Sequence, residues 1–207
     1  SVSNSFGGNY WHQMLVQKGY IIVTIDGRGT GARGAQFKKQ TYKQLGKLEV
    51  EDQIAGAKYL GSLPYVDANR IGIWGWSYGG YMSSLALLRG NDVFKAAIAV
   101  APVTSWRYYD TIYTERFLST PQENPSGYDD NSPNTYAKNL KGNLLLIHGT
   151  GDDNVHYANA VALADALIAE GKQFEWFSYP DRAHGIRKRN ARVHLYTMMT
   201  EFILNNL

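Results

Sequence analysis

RIGIWGWSYGG, residues 70–80, decides the fold. Residues 70–74 form a short apolar run with two isoleucines and a tryptophan, which reads as a buried strand. Residues 78–88 carry apolar positions at helical spacing. Between them stands Gly75-Trp76-Ser77-Tyr78-Gly79, a G-x-S-x-G motif. A bare match of this kind is common by chance. One that leaves a strand and immediately opens a helix is the context of a nucleophile elbow. Such a turn holds its serine at a sparsely populated backbone angle and presents the hydroxyl at the carboxyl end of the sheet. It also aims the backbone N–H of Tyr78 at the position where a tetrahedral oxyanion forms. Gly75, Gly79 and Gly80 leave room for strand and helix to approach closely.

Working outward, four more apolar runs read as strands: residues 21–25 (IIVTI), 96–100 (AAIAV), 144–148 (LLLIH) and 174–179 (FEWFSY). Helical patterns fall at residues 10–18, 50–60, 78–88, 159–170 and 192–204, and residues 67–69 read as a turn. Short apolar strands separated by amphipathic helices predict an α/β chain, an α/β-hydrolase fold with a mostly parallel sheet and helices on both faces. Residues 104–143 break the alternation. They hold Pro121, Pro125 and Pro133 and many Tyr, Asn and Ser, and read as an insertion above the sheet, where substrate pockets sit.

The bulk properties fit one globular domain. The chain has 207 residues, 44% of them hydrophobic and 19% charged, with a formal net charge of +3. No basic stripe with interleaved aromatics is present, which argues against nucleic acid as a partner; the cluster Arg187, Lys188, Arg189 reads as a solvated loop or a helix start. There are no cysteines, so disulfides, thiolate metal sites and cysteine nucleophiles are excluded. No apolar run approaches the roughly 18 residues that span a bilayer. No signal peptide is visible and the first residue is Ser, so a mature product or a piece of a longer chain is expected.

A hydrolase of this fold carries its triad in the order Ser, then Asp or Glu, then His. The acid belongs just after a late strand, and residues 149–154 (GTGDDN) follow the strand at 144–148. Asp152 and Asp153 both qualify, and spacing does not separate them. Among five histidines, His12 precedes Ser77 and is excluded by order. His148 ends a strand, His156 sits beside the acid loop and His194 lies in a helical pattern. His184 follows the last strand in a polar loop, where the general base belongs. Gly29-Thr30-Gly31-Ala32-Arg33-Gly34 matches the glycine pattern of dinucleotide sites. However, Asp26 and Arg28 intervene after the strand, and no clear amphipathic helix follows. The acidic residues some 20 positions on begin a helix and do not end a strand. It is read as a loop whose glycines permit close packing.

Residues 75–81 (GWSYGGY), 149–156 (GTGDDNVH), 106–116 (WRYYDTIYTER) and 26–31 (DGRGTG) together resemble the prolyl oligopeptidase family, from end to end of the chain. The likeness is strongest to the branch that removes amino-terminal dipeptides, and to its bacterial members. The resemblance implies Asp152 as the triad acid and His184, in His-Gly-Ile, as the base. The preceding Pro-Asp-Arg-Ala departs from the family's acidic loop. It implies Tyr109 and Tyr113 as aromatic walls of a proline pocket, with Val103, Trp106, Tyr78 and Val155 around them, and Asn154 as the group binding the carbonyl before the P1 residue. A proline ring is flat, apolar and without N–H, so a shallow aromatic slot is a chemically suitable selector.

The implied activity is a serine exopeptidase that cleaves after a penultimate proline, or alanine, and releases dipeptides through an acyl-enzyme. Peptides with proline or alanine at the second position are the expected partners, with no cofactor. A homodimer of the full-length protein and an extracytoplasmic, periplasmic or cell-surface location are expected. Tripeptidyl or acylaminoacyl peptidase and general esterase activities are the alternatives. The resemblance also implies a missing β-propeller and missing first strands. The chain is therefore expected to be an incomplete catalytic domain, poorly active or insoluble alone.

Overall fold

A computed structural model describes residues 2–3 and 7–207. Four strands, β1 (Gly72–Trp76), β2 (Ala96–Val100), β3 (Asn143–Gly149) and β4 (Glu175–Tyr179), form one sheet in the order β1-β2-β3-β4. Every neighbouring pair is parallel, with Gly75 opposite Ala99, Ala99 opposite Leu146 and Ile147 opposite Phe177. Parallel neighbours require crossovers. Those are supplied by α4 (Tyr78–Arg89) between β1 and β2, by an insertion between β2 and β3, and by α7 (Ala158–Ala169) between β3 and β4. The remaining long helices are α1 (Tyr10–Gln17), α3 (Lys47–Gly61) and α8 (Ala191–Asn206), with a short α2 (Ala35–Lys39).

The period-2 pleat sorts the strand residues onto two faces. Ala97, Ala99, Leu144 and Leu146 join Val50 of α3, Leu85 and Leu88 of α4, and Leu163 and Leu167 of α7 in one core cluster. Ala96, Ile98, Val100, Leu145 and Ile147 join Trp11 and Leu15 of α1 and Leu195, Met199 and Phe202 of α8 in the other. Each fully buried Leu, Ile or Val contributes about 1.5–3 kcal/mol. The two clusters therefore clamp the sheet rigidly from both sides, which is what the expected α/β-hydrolase arrangement requires.

Four helical patterns match observed helices to within two residues at each end; α3 begins at Lys47, three residues before the expected start at Val50. The expected strand at 70–74 is displaced: β1 runs Gly72–Trp76 and carries the backbone right up to Ser77. The expected turn at 67–69 is a short 3₁₀ turn, Ala68–Arg70, capped by the Asp67 side chain.

Residues 21–25 form no strand. β-branched, apolar composition favours a pleated surface only where a neighbour completes the ladder. This segment has no strand beside it among the described residues, and neither does the outer edge of β1. Ile21 is 55% exposed and Val23 46%. It is docked through Ile22, which packs against the second core cluster, and at its end, where Gln53 Nε2 donates to the Ile25 carbonyl at 3.3 Å.

The insertion at 104–143 is more ordered than its composition suggests. It holds α5 (Thr111–Leu118), α6 (Pro125–Asp129) and two 3₁₀ turns, Trp106–Tyr108 and Pro133–Asn139. Its Asn and Asp residues serve as caps: Asp110 accepts from the Tyr113 N–H and Asn124 from the Gly127 N–H. Among the described residues no helix is long and apolar enough to cross a membrane.

Candidate active site

Ser77 sits between β1 and α4 at φ 60° and ψ −117°. A positive φ at a non-glycine residue costs on the order of 1–3 kcal/mol and persists only where surroundings enforce it. Here the Ser77 N–H donates to the Val100 carbonyl at 2.8 Å and its carbonyl accepts from Tyr81 at 2.9 Å, pinning both sides of the turn. Of the three glycines, two have a packing reason. A Cβ on Gly75 would run into the backbone of Gly79, and one on Gly80 would lie 2.8 Å from the Val100 carbonyl oxygen. A Cβ on Gly79 would meet nothing within 4 Å. The Tyr78 N–H opens α4, and the first N–H groups of a helix have no partner within it and face a positive dipole end.

The acid loop follows β3. Asp152 is buried, and its carboxylate has four close partners. Oδ1 accepts from the N–H groups of Asn154 at 3.0 Å and Val155 at 2.9 Å. Oδ2 lies 2.8 Å from His184 Nδ1 and 3.3 Å from His148 Nε2. Burial alone would raise this carboxyl, but the two imidazoles and the Asn154 N–H outweigh it and hold it well below the usual carboxylate range. Asp153 is exposed. The alternative that spacing left open is thus resolved geometrically: Asp152 is the carboxylate beside His184.

His184 lies in the loop after β4, and that loop is laced to the acid loop. Thr150 N–H donates to the Tyr179 carbonyl at 2.9 Å, Gly151 N–H to Arg182 at 3.2 Å, and Asp181 N–H to Thr150 Oγ1 at 2.9 Å. The His184 carbonyl accepts the Trp76 indole N–H at 3.0 Å, which ties the His184 loop to the residue before Ser77. With Nδ1 on Asp152, Nε2 is the ring nitrogen left to serve a nucleophile.

The aromatic residues of the insertion gather on one side of the elbow. Trp106 is buried and packs against Tyr78 at 5.6 Å, Tyr109 at 6.0 Å and, nearly parallel, Tyr113 at 6.0 Å between ring centroids. Tyr109 and Tyr113 meet edge to face at 5.3 Å. Val103 and Val155 are buried in the same cluster. The Tyr109 hydroxyl donates to Asn154 Oδ1 at 2.8 Å, so the aromatic wall and the acid loop are directly linked.

The remaining histidines have other partners. His12 accepts from Trp74 Nε1 at 3.1 Å, His156 caps the Ala158 N–H, and His194 pairs with the Tyr179 hydroxyl. His148 reads from sequence only as the end of a strand, and i,i+4 spacing to Asp152 signals proximity in a helix, not across a strand end and its loop. Its Nε2 also lies 2.8 Å from the Val155 carbonyl. A second residue that sequence reasoning missed is Glu49, whose carboxylate accepts the Tyr78 hydroxyl at 2.6 Å. The glycine loop at 29–34 is a packed turn: Arg28 pairs with Asp52 at 2.7 Å, Gly29 has φ 96°, and a Cβ there would lie 2.6 Å from Thr41.

Known proteins match this chain closely. The profile of the "Prolyl oligopeptidase family" matches residues 6–207. The chain is 44% identical over 189 residues to "Probable dipeptidyl peptidase 4" of Aspergillus clavatus, covering 88% of this chain and 24% of that protein. It is 43% identical over 206 residues to "Prolyl endopeptidase FAP" of Mus musculus, covering 98% of this chain and 27% of the relative. The chain therefore spans about a quarter of the length of these relatives. The crystal structure of Porphyromonas gingivalis dipeptidyl peptidase 4 superposes with a TM-score of 0.95 at 52% identity, over 97% of this chain and 28% of that one. An elbow serine on a parallel α/β sheet, an Asp-His pair on the next loops and these likenesses agree: the chain belongs to the prolyl oligopeptidase family of serine peptidases, in its α/β-hydrolase catalytic portion.

Proposed function

We propose that the protein is a serine exopeptidase that hydrolyses the bond after a penultimate proline, and also after alanine, releasing amino-terminal dipeptides. The observation that carries the serine-hydrolase part of this reading is the 2.8 Å contact between Asp152 Oδ2 and His184 Nδ1, tied through Trp76 to the strained turn of Ser77; its dipeptidyl part is supported by the 44% and 52% identity to dipeptidyl peptidase 4 proteins.

The steps follow from the groups present. His184 Nε2 takes the proton of the Ser77 hydroxyl as Oγ attacks the scissile carbonyl. The Tyr78 N–H donates to the resulting oxyanion. Asp152 keeps the imidazole in the Nδ1–H tautomer and stabilises the imidazolium. His184 returns the proton to the leaving amine, and the acyl-enzyme forms. Water then repeats the sequence and frees the dipeptide. Tyr109, Tyr113 and Trp106 offer flat apolar surface for a ring with no N–H, and Asn154 stands beside them as a donor for the preceding carbonyl. Peptides are the partners of this reading, in an extracytoplasmic setting and with a homodimeric full-length protein.

The test is hydrolysis of Gly-Pro chromogenic amides, free and amino-terminally blocked, by the natural full-length polypeptide. Cleavage of the free substrate and indifference to the blocked one is expected. Equal cleavage of both would overturn the exopeptidase reading in favour of an acylaminoacyl peptidase, an endopeptidase or an esterase.

A further inference from the structure

We infer that Glu49 is a positioning residue for the acyl slot: its carboxylate sets the Tyr78 ring, and through it the wall against which a ring-shaped acyl group packs. The inference rests on the serine-hydrolase reading of Ser77 and deepens it.

Glu49 lies in the first turn of α3, a helix that packs on α4. One carboxylate oxygen accepts the Gly46 N–H at 3.0 Å, which fixes the side chain to its own helix start. A carboxylate in that position is favoured by the helix dipole. The other oxygen accepts the Tyr78 hydroxyl at 2.6 Å, the length of a charge-assisted O–H···O⁻ bond. Burial raises the Glu49 carboxyl, while the bond from Tyr78 opposes the rise.

The Tyr78 ring is wedged between two others, Tyr81 at 5.4 Å and Trp106 at 5.6 Å. Tyr81 is itself fixed by the Leu45 and Asn131 carbonyls, and Trp106 stacks on Tyr113. A continuous line thus runs from Glu49 through Tyr78 and Trp106 to Tyr113. Tyr78 is also the residue whose N–H opens α4 beside Ser77. A carboxylate and a hydroxyl withdrawn from water are no better for stability than apolar residues of the same shape. Packing alone would be served by Phe and Leu. The polar pair adds one thing that packing does not: a single fixed angle for the Tyr78 ring.

The experiment uses the full-length polypeptide and two p-nitrophenyl esters, acetate and cyclopentanecarboxylate. The second presents a five-membered ring without any amino terminus. The quantity read is the ratio of kcat/KM for the ring ester to that for acetate. Glu49→Leu and Tyr78→Phe are each expected to lower the ratio about tenfold, the range of one lost charge-assisted hydrogen bond. Glu49→Gln keeps an acceptor for the hydroxyl and should change it less than about threefold. In the Tyr78→Phe background, Glu49→Leu should add no more than about a further twofold.

An unchanged ratio in Tyr78→Phe, or independent and additive losses in the double variant, would overturn the inference. Should Glu49→Leu fail to fold, Tyr78→Phe, which keeps the α3 cap intact, decides alone. Failure of the wild type to cleave Gly-Pro amides while hydrolysing both esters would sink the dipeptidase reading and leave the ester ratio to judge Glu49 separately.

Discussion

The indole N–H of Trp76 donates to the backbone carbonyl of His184 at 3.0 Å, so the residue before Ser77 holds the main chain of His184. The Arg192 guanidinium lies over the same indole, 4.9 Å from the ring, and fixes its outer face. Trp76→Phe keeps the ring and removes the donor. It should lower kcat about tenfold with little change in KM, since the loss is in orientation and not in binding. Steady-state kinetics on a Gly-Pro amide check this, and a pure KM effect would contradict it.

Ser77→Ala and His184→Ala should each reduce hydrolysis by up to about a millionfold while the fold persists, because in the proposed mechanism the three residues would act as a unit. Combining them should add almost nothing. Either variant retaining a large share of activity would remove that residue from the mechanism.

Asp152→Asn should cost on the order of ten thousandfold in kcat, the usual cost of the wrong imidazole tautomer. Asp153→Asn should cost no more than a few-fold, since that side chain is exposed. The depressed carboxyl of Asp152 also has a stability signature. Its contribution is complete above the unfolded value near 4 and is lost as pH falls through the lower folded value. The gap in melting temperature between wild type and Asp152→Asn should therefore narrow as the pH is taken from about 5 toward 2. A gap independent of pH would contradict the assignment.

Tyr113→Ala removes the ring that stacks on Trp106 and should weaken selection of proline at P1 about tenfold, by loss of aromatic contact area. Hydrolysis of a simple acetate ester should fall far less. Parallel kcat/KM values for the two substrates measure this, and an equal loss on both would place Tyr113 outside the slot.

The elbow glycines should separate. Gly75→Ala drives a methyl group into the Gly79 backbone and should cost about 1–3 kcal/mol or more, as overpacking does. Gly79→Ala has open space and should hold or gain stability, by up to about 1 kcal/mol from helix propensity. Chemical denaturation of the two variants distinguishes them; equal destabilisation would contradict the packing account.

What could be read from the sequence was whatever chemistry and local pattern determine together. The strand, the turn at Ser77 and α4 are specified by one continuous stretch, Gly72 to Arg89, and the structure places them together. The choice of Asp152 over Asp153 needed a likeness to known residues, because two adjacent loop carboxylates differ only in where the chain turns them. The segment 21–25 has a strand's composition, but strand formation depends on a neighbour, and composition does not reveal one. Glu49 read as an ordinary helix-start carboxylate, since its partner Tyr78 lies 29 residues away across two helices. His148 was hidden for a related reason: its role shows only when the loop after β3 folds Asp152 back beneath it.

The bond from the Tyr109 hydroxyl to Asn154 Oδ1 has a bearing on inhibitor chemistry. An amide has one accepting end and one donating end, and the phenol occupies the accepting end. Asn154 is thereby turned so that its Nδ2 hydrogens are the free ones. On the proposed reading of the slot, the pair would work as a polarity filter: compounds that offer a carbonyl or ether oxygen at that point would be admitted, and those that offer an N–H would meet another donor. Removing the phenol with Tyr109→Phe would let the amide rotate and accept either. The same scaffold would then lose its discrimination between an inhibitor and its reversed-amide isomer.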